Sequence, residues 1–345
     1  MLESPHAVIL AGGEGTRLRP LTNSLPKPML PVIGVPCIQY SIESFRDAGI
    51  ENVHLACGYR SDDLVSRLQN LKLGVNLDFA IEETPAGTAG AVKLLEDKLS
   101  STFIVASGDV LADVDMKALL EEHKKSNAVV TIALTEVDKP TEFGIVGLDS
   151  TGRIERFKEK PKEEEVFSNL INAGIYILQK DALDYIPEGR KYDFSKDLFP
   201  SLMEAGEHLQ GARLEGLWKD IGRPSDLLEA NLRMAERKGT SGDRCGAACT
   251  GRIVSTDFSG QGCSIFGPSY IGMNTFIGQQ AKLDSCAVGE NCKIGSGADL
   301  SHVLIRENCN LGENCTLENV ILGKDCTVSA GASLKNAVIG DFSRV

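Results

Sequence analysis

Residues 10–30 read LAGGEGTRLRPLTNSLPKPML, and they follow a short apolar run from His6 to Leu10. Such a run is a strand candidate. A glycine-rich turn directly behind it lets backbone N–H groups come close to an anion. Two familiar phosphate cradles do not fit. The stretch lacks the Lys-Ser/Thr ending of a P-loop, and its glycines are not spaced as G-x-G-x-x-G. Arg17 adds a guanidinium fork suited to phosphate oxygens. Lys27, held between Pro26 and Pro28, is a point charge on a stiff backbone. The combination suits a triphosphate.

The texture around this stretch sets the fold class. Strand candidates are HAVILA (6–11), NVHLAC (52–57), NLDFAIE (76–82), TFIVASGD (102–109) and AVVTIAL (128–134). Helix candidates lie near 36–48, 61–70, 88–98 and 115–125. Alternation at this rhythm predicts an α/β, Rossmann-like domain with a mainly parallel sheet covered on both faces. Ligands of such sheets sit beyond the carboxyl ends of the strands. The glycine stretch leaves the first strand there, and Asp109 closes the fourth.

A chain of 345 residues is too long for one core. The alternating texture runs over 1–235, and the small, glycine-rich stretch 236–251 reads as a linker. Over 252–345 the texture becomes a repeat. Aliphatic residues fall at Val288, Ile294, Leu300, Ile305, Leu311, Leu317, Leu322, Val328, Leu334 and Ile339, in steps of six, six and five. A 17-residue period of three short strands predicts a triangular prism whose coils stack through backbone hydrogen bonds. It resembles the left-handed parallel β-helix of hexapeptide-repeat proteins, and the handedness is implied by that resemblance alone. Looser copies begin near Ile265, Ile271 and Ile277. Cys292, Cys309 and Cys326 share the period, so they stack on one side of the prism, as a ladder of small apolar residues rather than a metal site. Cys245 and Cys249 have no second ligand pair, which argues against zinc there.

Composition narrows the partners. The net charge of −12 argues against nucleic acid or an anionic membrane as the main partner. Neither a signal peptide nor a run of about 18 apolar residues is present. Ten cysteines without small-scaffold spacing are expected to be reduced thiols in a cytoplasmic protein.

Gly12-Gly13-x-Gly15-Thr16-Arg17-Leu18-x-Pro20-Leu21-Thr22, followed by Pro26-Lys27-Pro28-Met29, resembles the signature of the sugar-1-phosphate nucleotidyltransferases. Later landmarks agree in chain order. They are Gly87-Thr88-Ala89-Gly90, Gly108-Asp109, Phe143-Gly144, Phe157-Lys158-Glu159-Lys160-Pro161, Asn172-Ala173-Gly174 and Trp218-x-Asp220-Ile221-Gly222-x-Pro224. The resemblance covers residue 6 to about 235. It implies that a nucleoside triphosphate and a hexose-1-phosphate give a nucleoside-diphosphate sugar and pyrophosphate. The attacking phosphate is already ionised near neutral pH, so no general base is needed, which fits five histidines with none in a landmark. Two anions must meet, so cations are needed where they do.

The resemblance also implies residue roles. Leu10, Ala11, Gly12, Gly13, Gly15, Thr16, Gly87 and Thr88 are expected around the nucleotide. Arg17 is expected on the leaving pyrophosphate, Lys27 at the phosphates around the reacting centre, and Lys160 on the sugar-1-phosphate. Asp109 and Asp220 are expected to hold Mg2+ alongside substrate phosphates. Gly144, Glu159 and Asn172 are expected sugar contacts. Trp218 fits a wall of the sugar pocket or a core position. Ser107 departs from the pattern, where Asn is frequent.

Glu82 bears on the base. Pyrimidine-transferring relatives carry a glutamine at the matching position, whereas a carboxylate only accepts hydrogen bonds. Guanine presents two adjacent donors that a carboxylate takes together. The run Glu82-Glu83-Thr84-Pro85 before Gly87-Thr88-Ala89-Gly90 is similar to the mannose-1-phosphate guanylyltransferase branch, which makes GTP and mannose-1-phosphate the expected pair. The competing expectations are a glucose-1-phosphate thymidylyl- or uridylyltransferase, a non-catalytic regulatory subunit that binds nucleotide-sugar, and a prism that transfers acyl groups. A regulatory paralogue is expected to lose a charged residue, yet Arg17, Lys27, Asp109, Lys160 and Asp220 are all present. His302 alone in the repeat argues for a structural or assembling prism. Open prism edges lead to an expectation of homo-oligomers.

Overall fold

The computed structural model describes residues 4–82, 84–255 and 257–345; Glu83 of the quoted Glu-Glu-x-Pro run lies outside them. Contacts divide the chain into two units. One is Met1–Glu14 with Ile38–Trp218, and the other is Gly15–Cys37 with Lys219–Val345.

The first unit is built on a nine-stranded sheet. Its strands are β1 (His6–Ala11), β2 (Asn52–Cys57), β3 (Asn76–Ile81), β4 (Thr102–Ser107), β5 (Val130–Glu136), β6 (Gly144–Leu148), β7 (Ile154–Glu159), β8 (Leu170–Gln179) and β9 (Leu209–Arg213). β1 lies between β2 and β4, parallel to both, with Ala11 opposite Cys57 and Leu10 opposite Ser107. β3 continues the parallel part beside β2. Helices α1 (Cys37–Asp47), α2 (Ser61–Gln69), α3 (Thr88–Lys93) and α4 (Met116–Ser126) connect these strands or follow them. Asp115 caps α4 by accepting the Ala118 N–H at 2.9 Å.

Beyond β4 the sheet becomes mixed, with β9 parallel to β5 and the other pairs antiparallel. β8 runs against β4 and β5, and β6 pairs with β7 as a hairpin. The hairpin turn is set by Asp149, whose Oδ1 accepts the N–H groups of Thr151 and Arg153 at 2.8 and 2.9 Å. Gly152 there has φ 85. A tight turn forces antiparallel pairing, because a parallel pair needs a crossover of a dozen or more residues. Val8, Phe103, Val105, Leu178, Phe194 and Phe199 form part of the dry core beneath this sheet.

The second unit is a parallel β-helix joined by the segment Gly15–Cys37. The counted period is the pairing register. Leu300 pairs Leu317 and Leu317 pairs Leu334, while Ile294 pairs Leu311 and Leu311 pairs Val328. Early coils are less regular: Cys249 pairs Ile265 and Ile265 pairs Leu283, one step short of 17 and one step long. This is why the copies near Ile265 look loose in sequence. Corner residues Asn274, Asn291, Asn308 and Asp325 all have positive φ, a conformation that Asn and Asp tolerate better than most. Their side chains bond up the column, Asn274 Nδ2 donating to Asn291 Oδ1 and Asn308 Nδ2 to Asp325 Oδ1, each at 3.2 Å.

The stretch 236–251 differs from a plain linker. Helix α5 (Pro224–Lys238) runs into it, and Ala248–Thr250 is a strand paired to the next coil. Ala247 and Cys249 are small enough to fill the prism interior and are buried there. Cys292, Cys309 and Cys326 are likewise buried, and their thiols donate to the carbonyls of Arg306, Gly323 and Gly340 at 3.1, 3.0 and 3.1 Å. Among the described residues, no cluster of three or more Cys, His, Asp or Glu is arranged to hold a metal. No described helix is long and apolar enough to cross a membrane.

Candidate active site

In the first unit, the carboxyl ends of β1, β2, β3 and β4 converge on the first glycines of the quoted stretch. The Leu10 carbonyl accepts the Gly108 N–H at 2.9 Å, and the Gly12 carbonyl accepts the Tyr59 N–H at 3.4 Å. Only glycine fits these crossings. A methyl group at Gly108 would lie 2.9 Å from the Leu10 oxygen, and one at Gly58 would lie 3.1 Å from Gly12 Cα and O. Ala11 is buried at the strand end. Gly13, by contrast, faces open space, with nothing within 4 Å of a methyl placed there. Bare backbone in open space is what close approach of a phosphate requires.

Glu82 follows the last residue of β3. It is half-buried, its Oε1 lies 3.4 Å from the position a Gly12 methyl would take, and its Oε2 accepts the Ala86 N–H at 3.0 Å. The carboxylate is therefore oriented beside the glycine turn rather than trailing into solvent. It keeps further lone pairs for other donors.

Gly87 and Thr88, expected around the nucleotide, open α3, whose start is bonded to residues 192–194. Thr88 N–H and Oγ1–H both donate to Asp193 Oδ1, at 3.1 and 3.3 Å, and Thr88 Oγ1 accepts the Phe194 N–H at 3.0 Å. The Ala89 and Gly90 N–H groups donate to the Tyr192 carbonyl at 2.9 and 3.0 Å. The start of α3 is thus docked on residues 192–194, and Thr88 ties the two segments together.

At the end of β4, the Ser107 hydroxyl donates to Asp109 Oδ1 at 2.5 Å. Ser107, at the position where the resemblance has Asn, thus supplies a donor that orients the carboxylate. Nearby, Glu159 is half-buried, and burial raises its pKa against the opposing pull of Lys160, Lys196 and a Ser195 hydrogen bond. A methyl at Gly144 would lie 2.8 Å from Glu159 Oε2. Asn172 is buried and its amide donates to Ser195 Oγ and Tyr176 OH at 3.1 and 3.0 Å. Burial pushes the Tyr176 phenol up to about 12, so it stays a neutral partner. Lys160 is exposed directly after β7 with φ 44, its N–H donating to the Phe143 carbonyl at 3.0 Å. A left-handed non-glycine residue is held there against its preference, as happens at functional positions. Trp218 is half-buried; its indole N–H donates to the Ala173 carbonyl at 2.8 Å, and its ring meets Phe143 edge-on. It flanks Asn172-Ala173-Gly174 and is not a core residue.

Ser195 and Lys196 escaped the sequence reading. They sit in the π-helical turn Phe194–Leu198, a conformation associated with functional sites. No spacing rule marks them. Their only signal is a run of three polar residues, Ser195 to Asp197, between apolar Phe194 and Leu198.

In the second unit, the turn Thr16–Leu18 presents exposed Thr16 and Arg17. Gly15 has φ 67, and a methyl on it would lie 3.1 Å from Lys27 Cβ and 3.2 Å from Thr22 Cγ2. Lys27 is 8% exposed, unusual for a lysine and a sign that its charge is directed. Asp220 is half-buried, and Gly222 lies next to it. A methyl at Gly222 would lie 2.8 Å from Asp220 Oδ2 and 3.4 Å from both terminal nitrogens of Arg17. A side chain at this position would crowd both the carboxylate and the guanidinium.

The first unit, with an open glycine turn at the carboxyl edge of its parallel strands, is an α/β domain of the kind that holds ligands at that edge. Residues 6–237 match the family model described as Nucleotidyl transferase, and 255–345 match the GMPPB C-terminal domain. The chain belongs to the nucleotidyl transferase family. It is 43% identical over 227 residues to the mannose-1-phosphate guanyltransferase of Yarrowia lipolytica, covering 64% of this chain but only 61% of that protein. It is 36% identical over 294 residues to mannose-1-phosphate guanylyltransferase 1 of Arabidopsis thaliana, covering 82% of this chain and 80% of that protein. A solved putative glucose-1-phosphate thymidylyltransferase from Bacillus anthracis, in complex with a sucrose, matches at 27% identity with TM-score 0.61. That match covers 69% of this chain and 97% of the other.

Proposed function

We propose that this chain condenses GTP with mannose-1-phosphate to give GDP-mannose and pyrophosphate. The observation that carries the base assignment is Glu82, a carboxylate oriented by Ala86 beside Gly12. It accepts from the paired guanine donors, where a glutamine would offer an N–H against them. The names of the Yarrowia and Arabidopsis relatives support the same pair of substrates.

In the reaction, an oxygen of mannose-1-phosphate forms a bond to the α-phosphorus. The bond from that phosphorus to the bridging oxygen breaks, and pyrophosphate leaves with the electron pair. The backbone of Leu10, Ala11, Gly12 and Gly13 receives the nucleotide, with Gly15 and Thr16 continuing the turn. Arg17 neutralises pyrophosphate, Lys27 the phosphates around the reacting centre, and Lys160 the sugar phosphate. Gly144, Glu159 and Asn172 orient the sugar beside Trp218. Gly87 and Thr88 face the nucleotide beside Glu82, the backbone around them fixed by Tyr192 and Asp193. Asp109, whose carboxylate is oriented by Ser107, and Asp220 each offer hard oxygen donors. Oxygen donors of this kind suit a hard cation such as Mg2+. When bound, Mg2+ offsets negative charge on the triphosphate.

The test is pyrophosphate release from GTP, ATP, UTP and dTTP, each with mannose-1-phosphate or glucose-1-phosphate. The wild type is expected to prefer GTP with mannose-1-phosphate. In Glu82→Gln, kcat/KM for GTP is expected to fall about 10- to 100-fold relative to UTP, the value of one or two hydrogen bonds to a charged group. An unchanged ratio refutes the base assignment. Preference for dTTP or UTP with glucose-1-phosphate would replace the proposal with the pyrimidine reading.

A further inference from the structure

We infer that the prism coil carrying Gly340 and Asp341 positions the turn that carries Arg17, making Asp341 and Ser24 positioning residues of the nucleotide site. The inference rests on the function proposed above, which assigns Arg17 to pyrophosphate. The linkage lies wholly within the second unit. The Ser24 hydroxyl donates to Asp341 Oδ2. Asp341 Oδ1 accepts the Lys324 N–H at 2.9 Å and lies 3.5 Å from Arg306 Nη1. The Arg306 and Asp341 side chains are 3% and 7% exposed. A charge pair this buried is held in one geometry, unlike the surface pairs that contribute little.

From Ser24 the linkage runs back toward Arg17. Ser24 ends the short turn Leu21–Asn23. Within that turn Thr22 Oγ1–H donates to the Gly15 carbonyl at 2.9 Å, and the same carbonyl accepts the Leu18 N–H at 3.0 Å. Gly15 and Leu18 bracket Arg17. Backbone closeness reinforces the path, since a methyl at Gly340 would lie 3.1 Å from Pro20 Cβ.

A second anchor holds the other end of the segment. Asn231 Oδ1 accepts the Ile33 N–H at 2.7 Å while its amide donates to the Pro31 and Leu227 carbonyls. A methyl at Gly34 would collide with the Tyr270 hydroxyl. Lys27 lies between the two anchors. Asp341 also serves the prism itself through Lys324 and Arg306, whereas the Ser24 hydroxyl serves the segment it anchors. Both anchors act on the stretch whose charges the reaction uses.

The test uses the full chain with Ser24→Ala, Asp341→Asn and Ser24→Thr, and Glu318→Gln as a prism control from an exposed ion pair with Lys335. Melting curves establish that each variant is folded. Loss of the Ser24–Asp341 bond is expected to lower kcat/KM for GTP about tenfold, while KM for mannose-1-phosphate stays within about twofold. Ser24→Thr, which keeps the hydroxyl, is expected to recover most of the loss, and Glu318→Gln to match wild type. A fall in kcat/KM of less than about threefold in Ser24→Ala, parallel rises in both KM values, or no recovery in Ser24→Thr overturns the inference. Wild-type turnover is measured first. If it is absent, the proposed function fails, and the inference is judged by calorimetric titration of inorganic pyrophosphate. Equal affinity of wild type and Ser24→Ala would then overturn it, and weaker binding by Ser24→Ala would uphold it.

Discussion

Replacing Gly87 by alanine is expected to destabilise the first unit severely, for reasons readable in two sets of numbers. Gly87 has φ 79 and ψ 170, a region essentially restricted to glycine, which costs about 1–3 kcal/mol for any other residue. The added methyl would lie 2.6 Å from the Tyr192 oxygen and 2.9 Å from its carbon and nitrogen. These are backbone atoms, and they cannot swing aside. That carbonyl accepts two N–H groups from α3, and Tyr192 N–H donates to the Ala86 carbonyl at 2.8 Å. Relief of the clash must break this seam, adding about 1–3 kcal/mol. Together the two effects are about 4 kcal/mol. For a unit of this size each kcal/mol moves the midpoint by about 2–4 °C, so the first-unit transition should drop by roughly 10 °C. Gly13→Ala is the matched control, since its methyl meets nothing. It should melt with wild type while weakening nucleotide binding. Calorimetric scans of both variants decide the matter. If Gly87→Ala melts with wild type, or if Gly13→Ala falls as far, the reasoning from backbone crowding is wrong.

Two further outcomes concern parts away from the chemistry. His123 is buried, its ring bonded to Thr131 Oγ1 at 2.8 Å and receiving the Gln179 amide at 2.7 Å, and burial lowers its pKa to about 4. Between pH 6.5 and about 4 the unfolded chain binds a proton that the folded one refuses, so stability falls with pH through that window by about 3 kcal/mol. Urea titrations at several pH values should show the slope in wild type and its loss in His123→Gln; an unchanged slope contradicts the assignment. In the prism, burial pushes the Cys326 and Cys286 thiols up to about 11 and 12, leaving them protonated at neutral pH and poor metal ligands. Dialysis against a chelator should therefore leave the prism's melting unchanged and release no zinc, and a drop in melting temperature would expose a thiolate site.

Much of this was legible in the linear chain where the chemistry is local. The period of 17 became the pairing register because each coil repeats its own corner and core residues. β1 and β2 fall on HAVILA and NVHLAC because a buried parallel strand is a continuous apolar run. What stayed hidden depends on contacts distant in sequence. Thr88 meets Asp193, and Asn172 meets Ser195; nothing in the spacing of either pair announces the meeting. The helix expected over 88–98 stops at Lys93 and resumes as the tight turn Glu96–Lys98. Nor does composition show that residues 15–37 group with the prism, since Ser24 and Asp341 are joined only by folding.

Tyr270, which crowds the Gly34 end of that segment, and the coil that leads to Asp341, which holds Ser24, are four pairings apart, from Tyr270 through Ala287, Leu304 and Ile321 to Val338. At one strand spacing per coil this is about 19 Å. The β-helix is thus a ruler with fixed gradations. Losing a whole coil would leave its stacking intact yet bring one clamp about 5 Å closer to the other, so evolution can alter the number of gradations freely only outside that interval.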